Sequence, residues 1–154
     1  MAQLAGDVRG VMIPVTGASI LLPNATVSEV ITYGDPQEID NAPTWVYGLT
    51  QWRGWRIPLF SFSLLAGQAE AESVSGAKVA ILKALSGDGR MPFMAMLAQG
   101  FPRLTAVTQD NLKLDGAQDD VPDGVKHIVM VNENEAFVPD LEGIEAKLLE
   151  ILGE

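Results

Sequence analysis

Short apolar runs separated by turn residues recur along most of the chain. Val11–Val15 and Ile20–Leu22 flank the segment Thr16–Ser19, which is short enough to form a hairpin turn. Two later pairs of apolar runs flank polar segments in the same way: Val79–Leu82 and Pro92–Leu97 around Ser86–Gly89, and Lys126–Val131 and Ala136–Val138 around Asn132–Glu135. The pattern predicts antiparallel strands, and it favours small barrels because a closed sheet has no exposed edge.

The end of the chain has a helical period instead. Its apolar residues recur at steps of three and four, as in Leu141, Ile144, Leu148, Ile151 and Leu152. Asp140 suits the N-cap, Glu142 and Glu145 suit the positive end of the helix dipole, and Gly153 suits the stop. We predict an amphipathic helix at about 141–152 that packs its apolar stripe on a barrel, and an interaction helix is the alternative.

The segment Ala69–Gly76, which is small and polar, divides the strand-rich part of the chain. We expect one lobe at about 17–68 and a second lobe at about 77–140. The first strand, near Val11, is free to pair with the second lobe. The strand pattern by itself therefore predicts a mostly β protein with two lobes.

The composition argues against several classes of function. A net charge of −10 opposes binding to nucleic acid and to anionic lipid, since both depend on Lys and Arg. The chain has no cysteine, so disulfides and thiolate chemistry are excluded. Neither a signal peptide nor an apolar run of the roughly 20 residues that span a membrane is visible, so we expect a cytoplasmic protein without membrane insertion.

Motifs for catalysis, metal binding and cofactor binding are also missing from the sequence. The single histidine, His127, has no second histidine or cysteine with which to form a zinc site. No Gly-x-Ser-x-Gly or phosphate-loop pattern occurs, and Asp119–Gly124 fails the register of a calcium loop. We therefore expect no enzymatic activity, no cofactor and no metal.

Acidic residues are concentrated in the second half of the chain, where Asp115, Asp119, Asp120 and Asp123 lie close together. Such a charge run usually forms a solvated surface, or a face that steers a basic partner. One alternative stays open on this observation: a small β-barrel enzyme or ligand-binding domain that uses the acidic second half.

The segment Val46–Gly67 carries the strongest indication of a binding surface. It predicts two strands joined by a tight turn at Arg53-Gly54, where glycine allows positive φ and the arginine stands at the tip. Trp52 and Trp55 then face each other across the hairpin, and Trp45 is nearby in sequence. Cross-strand aromatic pairs stabilise hairpins, but Trp and Arg are also enriched at binding hot spots. The hairpin tip is therefore a candidate interface.

An ordered set of short motifs runs through this part of the chain. In sequence order the set is Leu22-Pro23, Glu29-Val30, Gly48, Arg53-Gly54 and Pro58. No piece is specific alone, but the ordered set resembles the CheW family, bacterial adaptors that couple chemoreceptors to a histidine kinase. The resemblance extends from about Val8 to Leu152 and is clearest as far as Gly67.

The resemblance implies a mostly β fold of two small SH3-like five-stranded β-barrels packed side by side, with a C-terminal α-helix. All of it would lie in one domain spanning about 8–152. The implied function is that of a non-enzymatic adaptor. Its partners would be the regulatory domain of a CheA-type histidine kinase, bound by one barrel, and the cytoplasmic tip of a chemoreceptor, gripped between the barrels.

The resemblance also implies site residues. By their positions in the motifs, Glu29 and Arg53 would pair beside the partner-binding surface. We expect further partner contacts from the neighbours of that pair: Val27, Val30, Ile31, Trp52, Gly54 and Trp55.

One position departs from the family pattern. The family usually has an aspartate shortly after the proline of the last motif, whereas this chain has Ser61 after Pro58. A hydroxyl can replace some hydrogen bonds of a carboxylate but not its charge. The runs Leu21–Asn24 and Trp45–Leu49 look closer to CheW-like proteins of pilus-linked chemosensory systems, which drive twitching through type IV pili, than to flagellar ones.

Overall fold

The computed structural model describes residues 8–84, 91–108, 112–114 and 121–152. Within these ranges the chain is mostly β, as predicted. The strands are β1 (Val8–Val15), β2 (Ala18–Pro23), β3 (Val27–Thr32), β4 (Val46–Trp52), β5 (Trp55–Phe60), β6 (Lys78–Lys83), β7 (Phe93–Ala98), β8 (Arg103–Val107), β9 (Leu112–Leu114), β10 (Val125–Val131) and β11 (Asn134–Pro139). The helices are α1 (Phe62–Leu65) and α2 (Leu141–Leu152), and one turn of 3-10 helix covers Asn24–Thr26.

The strands form two curved sheets that make up two SH3-like lobes. One sheet has six strands in the order β8-β1-β2-β11-β10-β9, and the other has five in the order β3-β6-β7-β5-β4. The six-stranded sheet has one strand more than the five expected. In it β1 pairs with β2 on one side and with β8 on the other.

The sheets do not divide the chain at Ala69–Gly76. β2 lies in the six-stranded sheet, while β6 and β7 lie in the five-stranded one. β6 pairs with β3, and β7 pairs in parallel with β5, so two strands that follow the polar segment complete the sheet that precedes it. Both strands are buried over most of their length, which suits the central positions of a sheet.

The hairpin predictions are confirmed where the structure describes them. β1 and β2 are antiparallel with Val15 opposite Ala18, and β10 and β11 are antiparallel with Val131 opposite Asn134. The second turn is shorter than expected, since β11 begins at Asn134. β6 and β7 also pair antiparallel, but their proposed turn, Ser86–Gly89, lies outside the described residues.

Helix α2 lies where the period predicted it. Asp140 Oδ1 accepts a hydrogen bond from the Gly143 N–H at 3.2 Å, which satisfies one free donor of the first turn. The apolar stripe of α2 is buried through Leu141, Ile144 and Leu148. These side chains pack in a central core shared with both sheets, so α2 docks on the fold. The proposed stop, Gly153, lies outside the described residues.

The described residues form three apolar clusters in the interior. The central core lies between the two sheets and includes Ile13 and Ile20 from one sheet and Phe60 and Met96 from the other. Each lobe also has its own interior, represented by Leu59 and Ile81 in the five-stranded lobe and by Met12, Leu21 and Val129 in the six-stranded lobe. In the described part of the chain, no helix has the length and apolar character needed to cross a membrane.

Candidate functional site

The hairpin of β4 and β5 has the geometry that its sequence predicted. Trp52 pairs with Trp55, so Arg53 and Gly54 alone form the turn. Arg53 has φ of 50° and Gly54 has φ of 82°. Positive φ at both central positions is characteristic of the tight turns whose twist matches that of the flanking strands. The turn therefore holds the arginine at the tip of a regular hairpin.

Phe93, at the start of β7, supports both indoles of the hairpin. Its ring centroid lies 4.8 Å from that of Trp52 and 6.2 Å from that of Trp55, each in an edge-to-face arrangement. Nothing in the sequence linked Phe93 to the hairpin. Trp45 lies elsewhere, because its ring packs edge-on against Phe60 at 6.2 Å in the central core. Two of the three tryptophans therefore belong to the site.

Glu29 on β3 receives hydrogen bonds from two residues of the hairpin. Its Oε1 atom accepts from Trp52 Nε1 at 2.8 Å and from Arg53 Nη2 and Nε at 3.1 and 3.3 Å. The Arg53 guanidinium also lies over the Trp52 ring, 5.1 Å from its centroid. The pairing of Glu29 with Arg53 was expected, whereas the indole donor was not.

The pKa of Glu29 reflects these contacts. The hydrogen bond from Trp52, followed by that from Arg53 and by its positive charge, lowers the pKa of Glu29 below the ordinary value of 4.5. The carboxylate is therefore ionised at neutral pH and orients both donors.

The same contacts close the five-stranded lobe. β3 and β4 are its two edge strands, so Glu29 and Trp52 join opposite edges of one sheet. In the middle of β4, Leu49 forms an isolated bridge with Gln37. Gly48 has φ of 136°, and a Cβ atom there would collide with the Gln37 carbonyl oxygen. The motif glycine thus allows the segment after β3 to pack directly on β4.

The described geometry places the hairpin tip at the surface. The Arg53 side chain is 70% exposed and that of Glu29 is 39% exposed. Gly54 and Trp55 are also exposed.

The apolar residues proposed on β3 are less accessible than the hairpin tip. Val27 and Ile31 pack partly against the central core and the interior of the five-stranded lobe, and Val30 is half-buried. Part of each side chain is thus used in packing. Their contact with a partner stays a prediction.

Ser61, where the family resemblance leads us to expect an aspartate, is fully buried. Its hydroxyl oxygen accepts a hydrogen bond from the Leu64 N–H and so caps α1, while the hydroxyl donates to Glu72 Oε1. Glu72 is only 7% exposed. A carboxylate from another part of the chain therefore lies beside the serine.

Glu72 connects several parts of the fold. Its Oε2 atom accepts hydrogen bonds from the Thr16 N–H at 2.9 Å and from Gln99 Nε2 at 3.3 Å. Thr16 lies in the β1–β2 turn of one sheet, and Gln99 follows β7 of the other. Glu72 lies in the polar segment that had suggested a boundary, and nothing in that segment's composition indicated burial.

Most of the clustered acidic residues of the second half lie outside the described part of the chain. Asp115, Asp119 and Asp120 lie outside the described residues, and Asp123 is exposed. His127 is half-buried in β10. Among the residues that the structure describes, no three His, Asp or Glu side chains are grouped closely enough to hold a metal ion.

Comparison with known proteins agrees with this architecture. The family model described as a CheW-like domain matches residues 9–147. The fold is similar to that of the scaffolding protein TtCheW from Thermoanaerobacter tengcongensis, with a TM-score of 0.73 at 13% sequence identity, over 92% of this chain and 89% of that chain. No curated protein matches the sequence.

Proposed function

Because the chain belongs to the CheW-like domain family, we propose that it is a non-enzymatic adaptor of a bacterial chemosensory system, coupling chemoreceptors to a CheA-type histidine kinase. The observation that supports this most directly is the hairpin tip. Two motif residues from separate segments, Glu29 and Arg53, meet there at the surface, and Trp52 joins them.

The geometry suits recognition because it holds an exposed arginine in place. An arginine side chain loses rotamer freedom when it is immobilised in an interface, and that loss weakens binding. Here the contacts with Glu29 and with the Trp52 ring already restrict Arg53 in the free protein. A restrained, exposed arginine beside an indole has the composition of a binding hot spot.

The wider contact surface follows from the neighbours of Arg53. We assign to it the exposed Gly54 and Trp55, the rim of Trp52, and the β3 residues Val27, Val30 and Ile31. The regulatory domain of the kinase would bind here, and the cytoplasmic tip of the receptor would bind between the lobes. Each interface would bury roughly 800 Å² per partner, the size of a standard complex.

Two finer assignments belong to the same proposal. We place the adaptor in the cytoplasm as one domain of about 8–152, with output through type IV pili and twitching. The pilus assignment rests on the runs Leu21–Asn24 and Trp45–Leu49. A kinase encoded with pilus genes in the same organism should then bind more tightly than a flagellar one.

A binding assay with an arginine pair tests the proposal. Arg53→Glu should weaken binding to the kinase regulatory domain at least about tenfold, since hot-spot substitutions cost about 2 kcal/mol or more. The matched control is Arg56→Glu. Arg56 is also exposed, lies three residues further on the same hairpin, and donates a hydrogen bond to Gln37 rather than to Glu29.

Titration calorimetry would measure binding, and thermal unfolding would measure stability. Because the Arg53–Glu29 pair is exposed, we expect Arg53→Glu to change stability by no more than about 1 kcal/mol. If Arg53→Glu and Arg56→Glu weakened binding equally, the loss would not be specific to Arg53, and its assignment to the interface would be wrong. Failure of the parent protein to bind either the kinase domain or a receptor tip would refute the adaptor function.

A further inference from the structure

A second surface feature lies apart from the hairpin tip. An open cavity of about 550 Å³ is lined by Tyr33, Asp35, Pro36, Glu38, Tyr47 and Val74, and we call it the tyrosine cavity. Its walls come from the end of β3, the segment that follows, β4, and the segment before β6. The chain contains two tyrosines, and both line this cavity.

The two aromatic rings are partly buried and held in place. The Tyr47 hydroxyl donates to the Glu72 carbonyl oxygen at 3.4 Å. Burial raises the pKa of both phenols, and the neighbouring charge of Asp35 for Tyr33, and of Glu72 for Tyr47, raises each pKa further. Both rings are therefore neutral at physiological pH and lie in a negative field.

The remaining polar groups of the wall are carboxylates. Asp35 and Glu38 are exposed, and among the described residues that line the cavity there is no cationic side chain. Two cations on neighbouring strands have other partners. Lys78, opposite Thr32, lies over the Phe101 ring, and Arg56 is hydrogen-bonded to Gln37, which does not line the cavity. Aromatic rings and carboxylates together attract organic cations, the rings through cation–π interactions and the carboxylates through charge-assisted hydrogen bonds.

We propose that the tyrosine cavity receives an arginine side chain presented on the surface of a partner protein. A planar guanidinium can stack on a tyrosine ring and bond to a carboxylate together, and it is less strongly hydrated than an ammonium group. The exposed carboxylates make the cavity an open recess rather than an enclosed pocket. Such a shape suits a tethered side chain better than a small molecule that must be surrounded. The inference does not depend on the proposed function.

Tyrosine-selective ¹³C labelling provides a direct test, since the only two signals both report on the cavity. The probe is N-acetylarginine N-methylamide, and the control probe is the citrulline analogue, which has the same shape without the charge. We expect both signals to shift saturably with the arginine probe, with a Kd of roughly 1–10 mM. The citrulline probe should bind at least about fivefold more weakly.

Variants assign the binding to the cavity. Asp35→Asn and Glu38→Gln should each weaken binding of the arginine probe by about twofold to fivefold, as expected for loss of one exposed charge partner. Asp40→Asn removes a nearby exposed carboxylate that does not line the cavity. This variant should therefore bind the arginine probe as tightly as the parent protein does.

Three outcomes would overturn the proposal: no saturable shift, equal binding of the citrulline probe, or equal losses in all three variants. Free arginine binding with a Kd below roughly 0.1 mM would indicate a small-molecule site instead, and would also overturn docking of a partner side chain.

Discussion

Replacing Glu72 by alanine removes a carboxylate that is 7% exposed and that connects both sheets. Its two oxygens accept hydrogen bonds from the Ser61 hydroxyl, the Thr16 N–H and the Gln99 amide. Ser61 is fully buried, and Gln99 has a second acceptor in the Ser73 carbonyl. The substitution therefore leaves two donors, on Ser61 and Thr16, without this acceptor.

The expected loss follows from those two donors. A buried donor without an acceptor costs about 1–3 kcal/mol. Relief of the desolvation of the charge itself, and entry of water into the vacated space, both offset part of that cost. We expect Glu72→Ala to lower the free energy of unfolding by about 2–4 kcal/mol, which for a chain of this length is a fall in Tm of roughly 5–15 °C.

Urea unfolding followed by tryptophan fluorescence would measure the loss. Glu70→Gln is the matched control, because Glu70 is an exposed carboxylate two residues away. It should change the free energy of unfolding by less than about 0.5 kcal/mol. If Glu72→Ala were as mild as the control, the buried carboxylate would not stabilise the contact between the sheets, and the reasoning would be wrong.

The same network predicts the result of restoring the family aspartate. Ser61→Asp places a second carboxylate against Glu72 in a buried site, where two like charges cannot both ionise without cost. The single substitution should therefore destabilise strongly. Combining it with Glu72→Ser should recover at least about 1 kcal/mol relative to the sum of the single effects. Additive effects in this double-mutant cycle would contradict the coupling.

Two further predictions concern groups whose pKa is shifted. Trp52→Phe removes the indole donor to Glu29, so the pKa of Glu29, followed by carboxyl ¹³C NMR, should rise toward the ordinary 4.5. Because a lowered pKa contributes stability that is lost as the pH falls through it, the variant should also lose less stability than the parent as the pH falls below 4.5. An unchanged Glu29 titration would rule out the indole as the main cause. Tyr33 and Tyr47 have raised pKa values in the folded protein. Their contribution to the free energy of unfolding is therefore complete below pH 10.0, the ordinary pKa of a phenol, and is lost as the pH rises through the folded-state pKa. Ultraviolet titration should then show both phenols ionising above the ordinary value in the folded protein and near it in urea, and equal values in the two states would contradict the burial.

The local structural features of this protein could be predicted from its sequence. The Arg53-Gly54 turn, the pairing of Trp52 with Trp55, and helix α2 each depend on residues close together in the chain. A tight turn is determined by the two residues that form it, and a helix by apolar spacing within a few turns. The ordered motifs also indicated the family, and two of them, Glu29-Val30 and Arg53-Gly54, lie on β3 and at the hairpin turn.

Apart from the Glu29–Arg53 pair, which the family resemblance implied, only the tertiary structure showed which distant segments meet. The placement of β2 in one sheet and of β6 and β7 in the other depends on pairings across the whole chain, and the length of the Ala69–Gly76 segment does not determine them. The same holds for Phe93 beneath the indoles and for Glu72 beside Ser61. A polar residue in a small, polar segment is ordinarily solvated, and Glu72 is buried because the surrounding turns supply it with donors. Such contacts have no local pattern, since the partners become neighbours only when the sheets close.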